Sequence, residues 1–239
     1  MSLFRDHQRR VEAAQELKAG NVEAVVASPN SLHVQIAALR IDVERLRSQP
    51  QRADRIAMKR DELLPKWMPW AEQYLESGEV FNNPVFSYCV IWLFDTGELS
   101  KALEWADIAV AQNQETPENF SSDFAHFAAD YILEWAETEA DNGRSVEPYF
   151  NAMYSCILGD YPNGWKVNEF VRAKYLRFAG MQLLRDEDGM PSVTAISDVE
   201  KLKEADALLA KAKEVNPRIQ VTTLRNKIAQ RLRKLAQTE

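Results

Sequence analysis

Eight glycines and ten prolines are all that can punctuate these 239 residues. A β-sandwich or barrel needs a turn signal roughly every ten residues, and a parallel α/β sheet needs Gly-rich crossings. Neither fits that supply. Ala, Leu, Glu, Lys, Arg and Gln dominate the remainder, and these are good helix formers. Hydrophobic residues make up 46% of the chain, enough to fill a real core. The expected class is all-α, and the length allows one large domain or two small ones.

No apolar run approaches the roughly 18 residues that a membrane span requires. The longest goes only from Val85 to Phe94. The N-terminus, Met-Ser-Leu-Phe-Arg-Asp-His-Gln-Arg-Arg, has no apolar h-region, so neither secretion nor a membrane partner is expected. Cys89 and Cys156 lie in apolar surroundings without a CxxC, which fits two buried thiols in a reducing cytoplasm.

Along the chain, residues 4–26 read as a polar amphipathic helix that stops at Ser28-Pro29-Asn30-Ser31. Ser31 would cap a second helix from Leu32 to Arg47. Leu32, Ile36, Leu39, Val43 and Leu46 there recur at steps of four and three, a seam suited to a parallel two-stranded pairing. The same stripe also fits an αα-hairpin with the next helix, Arg52 to Leu64, because Ser48-Gln49-Pro50-Gln51 ends it after about two heptads. Trp67 and Trp70 read either as a stacking platform for bases or as a core wedge. Val85 to Phe94 is apolar nearly all round and predicts a buried helix. Gly97, Leu99, Ala102, Ala106 and Ala109 fall at the spacings of a tetratricopeptide-type hairpin, and Ala205, Leu209 and Ala212 repeat part of them. Helices are also expected around Phe120 to Trp135, over Tyr149–Leu158 and Val167–Leu184, and from Arg218 to Ala236.

Charge is distributed unevenly. Residues 1–60 hold 11 Lys+Arg and 7 Asp+Glu, residues 61–200 hold 8 and 25, and residues 201–239 hold 10 and 4. Two basic ends thus flank a strongly acidic middle, a pattern that points to nucleic acid or an acidic partner at the ends. The organisation expected is a basic helical region over 1–64, an acidic helical-hairpin body over 65–217 and a basic helix over 218–239.

Standard chemistry is mostly missing. There is no G-x-x-x-x-G-K-[ST] and no G-x-G-x-x-G, so no nucleotide cofactor is expected through those loops. None of His7, His33 and His126 has a second His at i+4. Asp186-Glu187-Asp188-Gly189 lacks the closing Glu of a calcium loop. Glu134, Glu137 and Asp141 share one helical face, where a magnesium ion for phosphodiester cleavage or plain solvent are the alternatives. No cofactor and no catalytic residue is assigned.

Five segments carry a resemblance, two of them being Ala102-Leu103-Glu104-Trp105-Ala106 and the Ala205 to Ala212 repeat. Leu63-Leu64-Pro65-Lys66-Trp67-Met68-Pro69-Trp70, then Trp92-Leu93-Phe94-Asp95-Thr96-Gly97, then Glu169-Phe170-Val171-Arg172-Ala173-Lys174 resemble the small terminase subunit of peduovirus-type temperate phages. The resemblance covers roughly residues 30–236. It implies recognition of the cohesive-end site of double-stranded phage DNA, and its delivery to the large ATPase subunit in the cytoplasm of the bacterial host. It also implies homo-oligomers. Family members are commonly labelled the endonuclease subunit, although no nuclease centre is legible in these residues.

Joined to the charge pattern, the resemblance makes Arg5, Arg9, Arg10, Arg52, Arg55, Lys59 and Arg60 at one end the expected phosphate contacts. Arg225, Lys227, Arg231, Arg233 and Lys234 are their counterparts at the other. Relatives often extend into a long Lys/Arg-rich tail where this sequence stops at Glu239, and the two expectations that follow are a lower DNA affinity or one that rests on residues 1–60. Two other classes of function fit the residues: a helical scaffold that binds proteins and no DNA, and a metal-dependent nuclease on the Glu134 face.

Overall fold

The computed structural model describes residues 32–118, 120–159, 165–185 and 189–237. The expected helix over 4–26, the Ser31 cap, His7, and Arg5, Arg9 and Arg10 lie outside the described residues, as do 186–188 of the acidic turn. Among the described residues every named element is helical, and the one β feature is an isolated bridge between Arg185 and Pro191. The chain divides into two compact units, Met1–Phe124 and Ala125–Glu239. The boundaries expected from charge, at 64/65 and 217/218, do not coincide with this division. Helices on either side of each pack together, because apolar contact rather than net charge decides what shares a core.

The described part of the N-terminal unit opens on α1 (Leu32–Arg47) and α2 (Arg52–Met58), then a π turn over Lys59–Leu63 that runs into α3 (Leu64–Ser77). The wide turn has a local cause. Pro65 has no N–H for the carbonyl of Asp61, and the Leu64 N–H reaches back five residues to the Lys59 carbonyl. α4 (Pro84–Asp95) is capped by Asn83, whose Oδ1 accepts from the Val85 and Phe86 amides at 3.0 and 3.2 Å. It is buried on nearly every side, as its sequence predicts. Gly97, at φ 82°, turns the chain into α5 (Leu99–Ala111), where Ala102, Ala106 and Ala109 are fully buried. The paired helices are there; the tetratricopeptide reading still rests on spacing alone.

An acid holds this unit together. Asp42 of α1 is only 4% exposed, and its Oδ2 accepts from Lys66 Nζ at 2.7 Å and from the Trp67 indole N–H at 2.9 Å. Leu39, Val43 and Leu46 on the same face are buried within the unit, so α1 packs against α2 and α4. The stripe expected as an oligomerisation seam is therefore largely internal, and Leu32 and Ile36 are its half-buried remainder. Trp67 is likewise a core residue, not an open stacking platform.

The C-terminal unit takes in α6 (Phe124–Asp141) from its second residue, and with it α7 (Tyr149–Leu158), α8 (Glu169–Gln182), α9 (Val199–Val215) and α10 (Thr222–Leu235). α8 and α9 make the closest pair, at Gly180. A Cβ there would lie 3.0 Å from Leu209 Cγ and 3.1 Å from the Ala205 carbonyl oxygen. α10 closes over α9 through Val221 and Ile228, which join Leu202, Ala205 and Leu209 in one apolar cluster. It starts four residues later than its charge pattern predicts. The buried Asn216 Oδ1 accepts the Arg218 amide at 3.0 Å, and this turn holds Arg218 outside the helix.

Two substitutions test these anchors. Asp42→Ala leaves the buried Trp67 N–H without an acceptor and is expected to cost about 1–3 kcal/mol in urea unfolding. Gly180→Val overpacks the α8–α9 contact and is expected to cost about 1–3 kcal/mol, read as a lower melting temperature.

Candidate nucleic-acid interface

The cations expected to meet phosphate do not share one environment. At the N-terminal unit, Arg55 donates to the carbonyls of Gln49 and Pro50 at 2.8 and 3.1 Å, closing the turn before its own helix. Lys59 donates to Asp95 Oδ2 at 2.6 Å, and its side chain is 14% exposed. Arg60 is exposed but forked onto Asp61 at 2.8 and 3.1 Å; that hydrogen bond holds the guanidinium above its ordinary pKa and the carboxyl below its own. Arg52 is exposed, with no side-chain partner among the described residues. Arg45, not among the expected contacts, pairs with Glu62.

A similar sorting occurs in the C-terminal unit. Arg225 is bidentate to Asp206 at 2.8 and 3.0 Å, and the hydrogen bond raises its pKa above the ordinary arginine value. Arg231 donates to the Ile196 carbonyl at 2.8 Å and ties α10 to the segment before α9. Lys227, Arg233 and Lys234 are exposed, and Lys227 and Arg233 have no ion pair among the described residues. Thus Arg55, Lys59, Arg225 and Arg231 hold the fold, while Arg52, Lys227 and Arg233 are exposed and have no ionic partner among the described residues.

The structure also gathers cations that the sequence pattern left scattered. Arg177 of α8, Lys213 in the last turn of α9, Arg218 of the Asn216 turn and Lys227 of α10 line one cavity of about 500 Å³. Lys213 lies in a segment of mixed local charge, and Arg177, with Arg172 and Lys174, lies within the 61–200 stretch that is acidic as a whole, so the regional charge count singles out neither. Only Asn216-Pro217, a turn signal between two helices, hinted that the ends of α9 and α10 would meet.

The acidic face on α6 is dispersed. Asp141 pairs with Arg185 at 2.9 Å, and Glu134 and Glu137 are exposed. Among the described residues no group of three His, Cys, Asp or Glu is arranged to hold a metal ion. Likewise, no helix among them is long and apolar enough to cross a membrane.

Comparison with known proteins bears on which reading to choose. A family model described as phage small terminase subunit matches residues 36–161. A probable terminase, endonuclease subunit, of Haemophilus phage HP1 (strain HP1c1) is 34% identical over 240 residues. That alignment covers 98% of this chain and 84% of the phage protein. The terminase, endonuclease subunit, of Escherichia phage P2 is 25% identical over 161 residues, 66% of this chain and 62% of that protein. No solved structure matches the chain.

The division between structural and open cations is directly measurable. Arg231→Ala is expected to lower stability by about 0.5–1.5 kcal/mol through the lost bond to Ile196. Lys227→Ala and Arg233→Ala should stay within about 0.5 kcal/mol of the parent chain. Equal losses in all three, measured by urea unfolding, would contradict this sorting.

Proposed function

The chain belongs to the phage small terminase subunit family, and from that premise we propose that it binds double-stranded phage DNA at the cohesive-end site and delivers it to the large terminase subunit. The observation that carries this reading is 34% identity to the HP1 protein across nearly the whole chain. Cations left without ionic partners in a chain of net charge −7 support it from the physical side. Strong acidity repels a duplex, so contact falls on local cationic surfaces, and binding weakens as salt displaces the protein from phosphate.

In this reading the chain recognises and positions DNA in the cytoplasm of the bacterial host, and the large subunit supplies the ATPase. Lys and Arg set the register on the duplex; base readout is assigned to no side chain. Assembly into a homo-oligomer belongs to the same proposal. The half-buried Leu32 and Ile36 offer apolar surface for it on one side of α1, and Val34 and Ile41, 52% and 70% exposed, offer it on the opposite side.

Light scattering of the chain, with and without a duplex holding the cohesive-end site, tests the proposal at low and high salt. The expected result is a defined oligomer that takes up the duplex at low salt and releases it at high salt. A monomer indifferent to the duplex at both salts would point instead to a scaffold for proteins.

A further inference from the structure

We infer that the open cleft lined by α8, the end of α9 and the start of α10 is a binding site for backbone phosphates of a DNA duplex, an inference that rests on the DNA-binding reading above. Four cations from four different stretches of chain converge on it: Arg177, Lys213, Arg218 and Lys227. No carboxylate lines it, and none of the four makes an ion pair among the described residues. Like charges brought around one space repel each other, so the fold bears an electrostatic cost there that an anion removes. The rest of the lining sharpens this. Met181, Ile219 and Leu224 give the cavity low-dielectric walls, which concentrate the field of the cations in the opening.

The first turn of α10 adds donors to the charges. Thr222 and Thr223 line the same cavity, and no side chain caps the start of this helix at Val221. Its leading amides therefore lack the internal partners that a cap would supply, and the positive end of the helix reinforces the four cations. A neighbouring cavity of about 300 Å³ provides the contrast. It shares Lys213 and Thr222 but includes Asp206, which is already neutralised by Arg225. That cavity sets one carboxylate against two cations, whereas the first sets none against four.

The geometry favours a polymer over an enclosed small molecule. Arg218, Thr222, Thr223 and Lys227 are exposed, so the cavity opens widely to solvent. Small-molecule sites bury most of their ligand, whereas an extended backbone can cross an open cleft and leave phosphates in it. The position is also held firmly. Gly180 sets the approach of α8 to α9, the Asn216 side chain fixes the Arg218 turn, and buried Val221 anchors the start of α10.

The test is fluorescence anisotropy of two short labelled duplexes, one with the cohesive-end site and one unrelated, over a salt series. Wild type is compared with Lys213→Ala/Arg218→Ala and with Lys213→Arg/Arg218→Lys. The alanine pair is expected to lose roughly 10–100-fold in affinity at about 0.1 M salt, equally on both duplexes. Its log–log salt slope should flatten by about two, while the charge-keeping pair binds like wild type. If wild type binds and the alanine pair binds equally well with the same slope, the cavity assignment fails and the DNA reading survives. If wild type ignores both duplexes at low salt, both fail together. ATP binding that disappears in the alanine pair without any loss of duplex affinity would overturn the backbone assignment in favour of a free nucleotide.

Discussion

The close approach of α8 and α9 at Gly180 is the constraint on which the C-terminal unit rests. With hydrogen in place of a side chain, Gly180 lets the Leu209 side chain and the Ala205 carbonyl come within the space a Cβ would need. Glycine inside a helix is unfavourable by about 1 kcal/mol relative to alanine, so its use there is an exchange of helix propensity for packing. The contact sets more than a core. Arg177 and Met181 flank Gly180 on α8, and Lys213 follows Leu209 by one turn of α9. The same approach that packs apolar groups therefore brings two distant cations to the edge of one cavity.

The N-terminal unit meets a different problem, since its entering helix is highly charged. Burying Asp42 is tolerable because both donors on Oδ2 come from consecutive residues, Lys66 and Trp67, at the start of α3. Lys66 also lies 5.0 Å from the centre of the Trp67 ring. The proline-rich segment that supplies these donors is the one that forces the π turn before Pro65. The Leu63-to-Trp70 motif thus acts as one piece: it shifts the helical register, fills the core and neutralises the acid of α1.

A count of charges overstates the cations left open on the surface. Arg55 and Arg231 bind carbonyl oxygens, and Lys59 and Arg225 bind carboxylates; these groups hold loops and helices in place. A guanidinium forked onto a carboxylate has its charge offset and only its remaining N–H groups to offer a phosphate. Long-range steering of a duplex still draws on every cation of a surface, but close phosphate contact favours those without such a partner. In the C-terminal unit these sit mainly on the turn before α10, on its outer side and on the ends of α8 and α9.

The sequence by itself determined the helical class, because scarce glycine and proline and abundant helix formers act locally. It also located the buried helix over Pro84–Asp95, the bounds of α1 and α7, and the family motifs around Trp67 and Trp92, all of which are written in consecutive residues. The fate of the α1 stripe was open to two readings, since the spacing of Leu39, Val43 and Leu46 says which face is apolar and nothing of what covers it. Tertiary structure decided that those three residues pack within the unit, and that the core boundary falls at Phe124 rather than where the charge changes sign. It also decided which cations are neutralised. Arg225 finds Asp206 19 positions away and Lys59 finds Asp95 36 positions away, while Arg177 and Lys213 meet at a cavity without any acid. Periodicity and composition report on neighbours along the chain, whereas pairing and convergence depend on distances that only packing sets.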